Sequence, residues 1–319
     1  MLASNNSAKG ISDVFHSIIK QTGLEKSEFH ERLQVVEGDL GTCLFIESLR
    51  AIRRPSSYAQ SDISNCFTVL GAAHVMWNIA QAIFLMHFGD NHNSKDLGAW
   101  HMLSALGLPS DRTTSKKDYN LMIANMTKVH KATILHCLQT VMGSNDLPKP
   151  DAKRPMRTAD IEEIIELCHL QFFSPKAMRE AQASKNQKLI NLMLRLQDFA
   201  SVVECDWATR AGDVGRLLNV WRRWAVMAQG MPGLTQYAIH LPRTIMLLTS
   251  VLPPGLQKVL QHSILVSPSG RSNHFVPKDL FLEVQNYWLK YFYNHNGIGS
   301  DITRIQDVIS INVPLVSIT

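Results

Sequence analysis

The sequence predicts a mainly α protein with a small α/β part. Three observations predict it. Apolar residues recur at helical spacing along most of the chain. Two short apolar runs with strand character stand between helices in residues 1–90. Apolar residues make up 45% of the chain against 18% charged, enough to build a packed core and to exclude disorder as its overall state.

The elements follow in order. Ile11, Val14, Phe15, Ile18 and Ile19 keep helical spacing until Gly23 ends them. Leu33, Val35 and Val36 form a strand leading into Glu37-Gly38-Asp39. Leu44, Phe45, Leu49 and Ile52 lie on an amphipathic helix stopped at Arg53-Arg54-Pro55. After a polar loop over Ser56–Ser64, Phe67-Thr68-Val69-Leu70 is a second strand, and Val75–Phe88 is strongly helical. From there the pattern is almost wholly helical: Asp118–Gly143, Ala159–Leu170, Pro175–Ala183, Gln187–Arg210, Val214–Gln229, Tyr237–Leu252 and Lys278–Tyr293. Ser174-Pro175 has the form of an N-cap followed by proline at the first helical position. Pro253-Pro254, Pro268-Ser269-Gly270-Arg271 and Gly297-Ile298-Gly299 are breaks and turns. The small α/β part is expected over 1–90, completed by 275–319, with a helical region over 91–274. A linker rich in proline and charge is expected near 145–157.

Composition excludes several classes. Lys plus Arg is 32 and Asp plus Glu is 27, a net +5 far from the charge density of a nucleic-acid coat. No apolar run approaches the 18 residues of a membrane span. Met1–Gly10 lacks an apolar segment and a cleavage-like site, so the chain is expected to be intracellular, with a nuclear location left open. Five cysteines, an odd number with no C-x-x-C, give neither a disulfide framework nor a zinc finger; buried thiols are expected.

The strong catalytic and nucleotide-binding motifs are missing, including phosphate-cradling loops, nucleophile elbows and H-E-x-x-H. Two corners draw interest instead. Asp39 follows the first strand, where open α/β sheets place ligands, although aspartate is also a favoured N-cap for the following helix. His74, in Gly71-Ala72-Ala73-His74, is a site residue or simply the first turn of its helix. Asp279 and Glu283 share one helix face at i and i+4, as a site pair or a capping and solvated pair. Arg50, Arg53 and Arg54 form a basic cluster that could meet phosphates or could cap a helix end. Trp221-Arg222-Arg223-Trp224 mixes aromatic and basic groups, as single-strand binders do. Within a helix it is better read as core tryptophans and rim arginines.

These corners carry a resemblance. Gly38-Asp39-Leu40-Gly41-Thr42 is similar to a G-D-Q-L-T motif, followed by a Glu/Arg helix at Glu47-Ser48-Leu49-Arg50. Gly71-Ala72-Ala73-His74, with Met76, Asn78 and His87-Phe88-Gly89, resembles a G-D-[LF]-H corner and its helix. Gly212-Asp213, Arg216-Leu217-Leu218 and Trp221 resemble G-D-x-x-R-[VL]-L-x-x-W. Tyr237-Ala238 and the run Asp279-Leu280-Phe281-Leu282-Glu283-Val284-Gln285-Asn286 resemble a Tyr-Ala pair and D-L-x-[ML]-E-x-x-N. In this order they resemble a fungal family catalogued as domain of unknown function 6589, associated with mobile elements. The match spans about Arg32 to Ile309.

The resemblance implies a ribonuclease-H-like core with few strands and a large helical insertion, as in transposases. Such cores hold two divalent metals about 3.5–4 Å apart on three carboxylates. Carried over, the acids are Asp39, the position of Ala72, and Glu283, with Mg²⁺ as cofactor and DNA as partner. This chain departs where it matters: alanine replaces the family's aspartate at position 72, and a methyl group cannot ligate Mg²⁺. His240 stands where the family has glutamate, Phe281 where it has histidine, and Leu40-Gly41 alter the first motif. The chain also starts close to that motif, where family members carry a longer region, so it reads as a shortened copy. The expectation is a degenerate relative of a transposon-borne transposase without catalytic activity, with remnant acids Asp39 and Glu283 beside His74. The alternative is a helical protein-interaction scaffold with no nucleic-acid role. A third reading, an active metal nuclease, would recruit Asp62 or Asp90 in place of the missing acid. The sequence does not set the oligomeric state.

Overall fold

A computed structural model describes residues 7–56, 58, 62–93, 95–112, 114–115, 118–143 and 157–295. The expected linker falls almost wholly outside the described residues, as does the Gly297-Ile298-Gly299 turn. Among the described residues the chain is mainly helical, with four short strands. None of these helices is long and apolar enough to cross a membrane. The chain forms two compact units. The first comprises Met1–Val75, Thr209–Val214 and Ile239–Thr319; the second comprises Met76–Ala208 and Gly215–Ala238.

The first unit begins with helix α1, Ala8–Thr22, capped by the Ser7 hydroxyl on the Gly10 N–H and closed by Gly23 at φ 68°. Helix α2, Lys26–Glu31, is one short helix with a reciprocal capping box between Glu25 and Glu28. Strand β1, Gln34–Gly38, leads through Asp39 into helix α3, Leu40–Ile52. Strand β2, Cys66–Leu70, pairs parallel with β1, in register from Gln34 opposite Cys66 to Gly38 opposite Leu70. A parallel pair needs a crossover, and α3 supplies it. Ile11, Phe15, Phe29, Ile46, Leu49 and Ile63 form the core of this layer. Helix α4, Ala72–Phe88, follows β2.

Later segments complete this unit. Helix α11, Thr235–Met246, belongs to this unit from Ile239 on and continues as one π turn over Leu247–Val251, and helix α12, Pro254–Ser263, follows. Strands β3, Leu265–Val266, and β4, Val276–Pro277, pair antiparallel just before helix α13, Lys278–His295. Gly212, at φ 72°, accepts the Phe275 ring so closely that a Cβ would sit 2.9 Å from it. The Phe275 N–H bonds the Arg210 carbonyl at 3.2 Å. The Gly-Asp motif at 212–213 is therefore a packing site for the chain that leads into α13.

The second unit is a helical pack. It holds most of α4 and all of α5, Ala99–Ala105, α6, Tyr119–Val141, α7, Thr158–Phe172, and α8, Pro175–Ala183. Most of α9, Gln187–Ala211, and of α10, Val214–Met227, belongs to it too. Phe84, Phe88, Met122, Met126, Phe199, Trp221 and Trp224 are fully buried. The Trp224 indole N–H donates to the Ser201 hydroxyl at 2.9 Å. Arg222 and Arg223 turn outward to Asn219 and Asp198. The tryptophans thus belong to the core and the arginines to its rim. Asn78 donates to the Tyr237 hydroxyl at 3.0 Å, joining two of the family-like motif positions. All five cysteines are buried free thiols.

Candidate functional site

The parallel register fixes where β1 and β2 end. Gly38 lies opposite Leu70, and the Gly71 N–H bonds the Gly38 carbonyl at 2.8 Å. Asp39 and the Gly71-Ala72 corner therefore leave neighbouring strand ends, each into a helix. This is the edge at which α/β layers place ligands.

Asp39 has extended backbone, and its Oδ1 accepts the Thr42 N–H at 2.7 Å. It is the N-cap of α3, the arrangement that satisfies one orphan donor of a helix start. Ala72 is buried at the start of α4.

The first turn of α13 reaches the same corner. The Asp279 carboxylate accepts the Ala73 N–H at 3.1 Å and the His74 N–H at 3.2 Å. An acid more than two hundred residues away in sequence thus caps α4 and sits against its positive dipole end. The His74 ring lies between two carboxylates, with Nδ1 2.9 Å from Asp279 and Nε2 3.3 Å from Glu283. Burial raises the Asp279 pKa, but hydrogen bonds from the His74 ring and from the Ala73 N–H outweigh it and hold the carboxyl below the usual range. Gly71 is required here for space, since a Cβ on it would sit 2.7 Å from Asp279 Cγ.

Two further ion-pair sets surround the strand ends. Lys278 Nζ lies 2.7 Å from Glu37 Oε2, and the Glu37 side chain is only 8% exposed. Burial pushes Glu37 up to about 7 despite the lysine. Glu47 accepts from Arg50 at 2.6 Å, from Thr68 at 3.3 Å and from Arg243 at 3.2 Å. Burial opposes ionisation of Glu47, yet Arg50 and then Arg243 hold its pKa low. The Glu/Arg motif of α3 therefore ties that helix to β2 and to α11. His240 is pushed down by burial and by Arg243.

The three arginines of the basic cluster take separate partners. Arg50 bonds Glu47 and the Cys66 carbonyl, Arg53 bonds the Ser12 hydroxyl at 2.6 Å, and Arg54 pairs with Asp62 at 3.4 Å. Asp90 accepts the His92 N–H at 3.0 Å in a local turn.

The structure thus brings Glu283 and His74 together, adds Asp279 to them, and gives Asp39 a capping role. A Mg²⁺ pair does not fit the residues present. Ala72 offers no oxygen, Asp279 is taken up by two backbone N–H groups and a ring, and Asp39 accepts a backbone N–H. Among the described residues no group of three or more His, Cys, Asp or Glu is placed to hold a metal ion. Sequence reasoning missed Asp279 as the central acid, and with it Glu37, Lys278 and Arg243. One signal was available for Asp279: an acid in the first turn of a helix, one turn before Glu283. Glu37 stood inside an apolar strand. Nothing local marked Arg243.

The model of a family described as a family of unknown function, DUF6589, matches residues 1–317. No curated protein and no solved structure matches this chain.

Proposed function

The chain belongs to the DUF6589 family, and from that premise we propose that it is a catalytically silent relative of fungal transposon-borne proteins with a ribonuclease-H-like core. It keeps the frame of a strand-end site and has lost its chemistry. One observation carries this reading: Asp39, the Ala72 corner and the Asp279–His74–Glu283 set stand on β1, β2 and the helices that begin at or face their ends. That is the layout a three-acid metal site would need, with a methyl group at one of its positions. The remaining acids act structurally, as helix caps and as partners of a histidine. DNA is the partner this reading assigns, held through phosphates with no base-specific chemistry.

The test is a cleavage and binding assay on the purified chain. Labelled single- and double-stranded DNA is incubated with Mg²⁺ or Mn²⁺, and binding is followed as salt rises. The expected result is no cleavage above background, with DNA binding that weakens as salt increases. Metal-dependent cleavage that disappears in Asp39→Ala would overturn the proposal. An absence of DNA binding at low salt would favour the second reading, a protein-interaction scaffold. That reading draws on the exposed apolar side chains of α13, where Leu282 is 61% and Tyr287 62% exposed.

A further inference from the structure

A cavity of about 270 Å³ opens in the first unit among α1, α2 and the end of α3. Part of its lining is apolar: the Phe15 and Phe29 rings meet edge to face at 6.3 Å and belong to the core of this unit. The lining also includes Arg53, Lys26, His16 and His30. None of the described residues lining it is acidic. This is an uneven distribution for a chain in which basic and acidic residues nearly balance, at 32 and 27.

Ser12 and His30 both line the cavity. Arg53 donates to the Ser12 hydroxyl at 2.6 Å, which holds the guanidinium at the wall. A hydroxyl that accepts this bond keeps its own proton to donate. His30 Nδ1 is buried and has no hydrogen-bond partner among the described residues. A buried polar nitrogen without a partner costs free energy.

We propose that this cavity binds a small phosphate monoester with an aromatic or aliphatic body. Arg53 and Lys26 supply a fixed charge of two, which matches a phosphate monoester at neutral pH and exceeds the need of a carboxylate. Ser12, His16 and His30 add neutral or charged donors to the phosphate oxygens. The Phe15 and Phe29 faces take the organic body. The volume lies just below the usual range for small-molecule sites, which limits the ligand to about one ring and its phosphate. The site shares no residue with the strand-end cluster.

The test is calorimetric titration of the full chain with phenyl phosphate, inorganic phosphate, benzoate and phenol. Phenyl phosphate should bind saturably at one site, inorganic phosphate and benzoate at least tenfold more weakly, and phenol not at all. Lys26→Gln and His30→Gln should each weaken phenyl phosphate at least fivefold. Lys20→Gln, an exposed change on α1 outside the cavity, should leave it unaltered. Lys26 is exposed, so its variant tests binding without risk to the fold. Equal binding of phenol or benzoate would overturn the proposal, as would unchanged affinity in both cavity variants or no phenyl phosphate binding up to millimolar concentration.

Discussion

Asp279 does three things with one carboxylate: it caps α4, orients the His74 ring and fills the space above Gly71. Replacing it by asparagine keeps the shape and removes the charge at the helix start. Asp279→Asn should lower stability by about 1–3 kcal/mol, read from denaturant midpoints near neutral pH. The pH dependence has a definite sign. Because the folded-state pKa lies below the ordinary aspartate value of 3.8, the contribution is present above that value and is lost as pH falls through the folded pKa. The gap between parent and variant should close in strong acid, as pH falls through the folded-state value. A gap unchanged at pH 2 would contradict this account. Gly71→Ala should also destabilise by about 1–3 kcal/mol, since the added methyl group must displace the Asp279 carboxylate or the start of α13. At this scale the sequence named His74 and Glu283, whose side chains meet at 3.3 Å. It gave Asp279 only as a neighbour of Glu283 on a helix. The bond to the N-terminus of α4 depends on a contact across more than two hundred residues, which no local pattern encodes.

At the scale of elements, β1 and α13 are joined by Glu37 and Lys278. The folded-state pKa of Glu37 is raised to about 7, so its stabilising contribution is complete below the ordinary 4.5 and is lost as pH rises through about 7. Against Glu37→Gln, the parent should lose up to about 3 kcal/mol of relative stability between pH 4.5 and 8. Thermal unfolding across that range checks it; a parallel pair of curves would show that the lysine already neutralises the cost. In the second unit, α9 and α10 are tied by the buried bond from Trp224 to Ser201. Trp224→Phe should cost about 1–3 kcal/mol by leaving a small void and removing one buried hydrogen bond, measured by chemical denaturation; the Ser201 hydroxyl still donates to the Asp198 carbonyl at 2.6 Å. Helices with clear periodicity and caps were legible from the sequence. Ser174 caps α8 through the Ala177 N–H at 3.1 Å, as its Ser-Pro signature predicts. Short elements were not. Helices α2, α5 and α12 and the two-residue strands β3 and β4 carry too few periods to rise above their surroundings, and tertiary packing supplies their stability. The helix expected over Tyr237–Leu252 instead begins at Thr235 and turns π at Leu247, with Pro242 inside it.

At the scale of the molecule, each of the two compact units is assembled from separated stretches of chain. The first unit depends on α13 returning to strands formed in residues 34–70. A chain ending before Lys278 should therefore lose more stability than Asp279→Asn alone, because it removes the α4 cap and the Glu37 partner together. Unfolding in urea should show a lower midpoint than in the point variant; equal midpoints would place the anchor elsewhere. The sequence by itself determined that the chain is mainly helical, that a small part holds the strands β1 and β2, and that it resembles the DUF6589 family. These follow from periodicity, caps and ordered motifs, all written in local or near-local patterns. Only the tertiary structure decided that Asp279 closes on the Ala73 and His74 amides. It also set Arg50, Arg53 and Arg54 on separate partners and brought Lys26, His30 and Arg53 around one cavity. The physical reason is that capping, ion pairing and cavity lining are set by which surfaces meet after the helices pack, whereas a helix is specified by residues three and four apart.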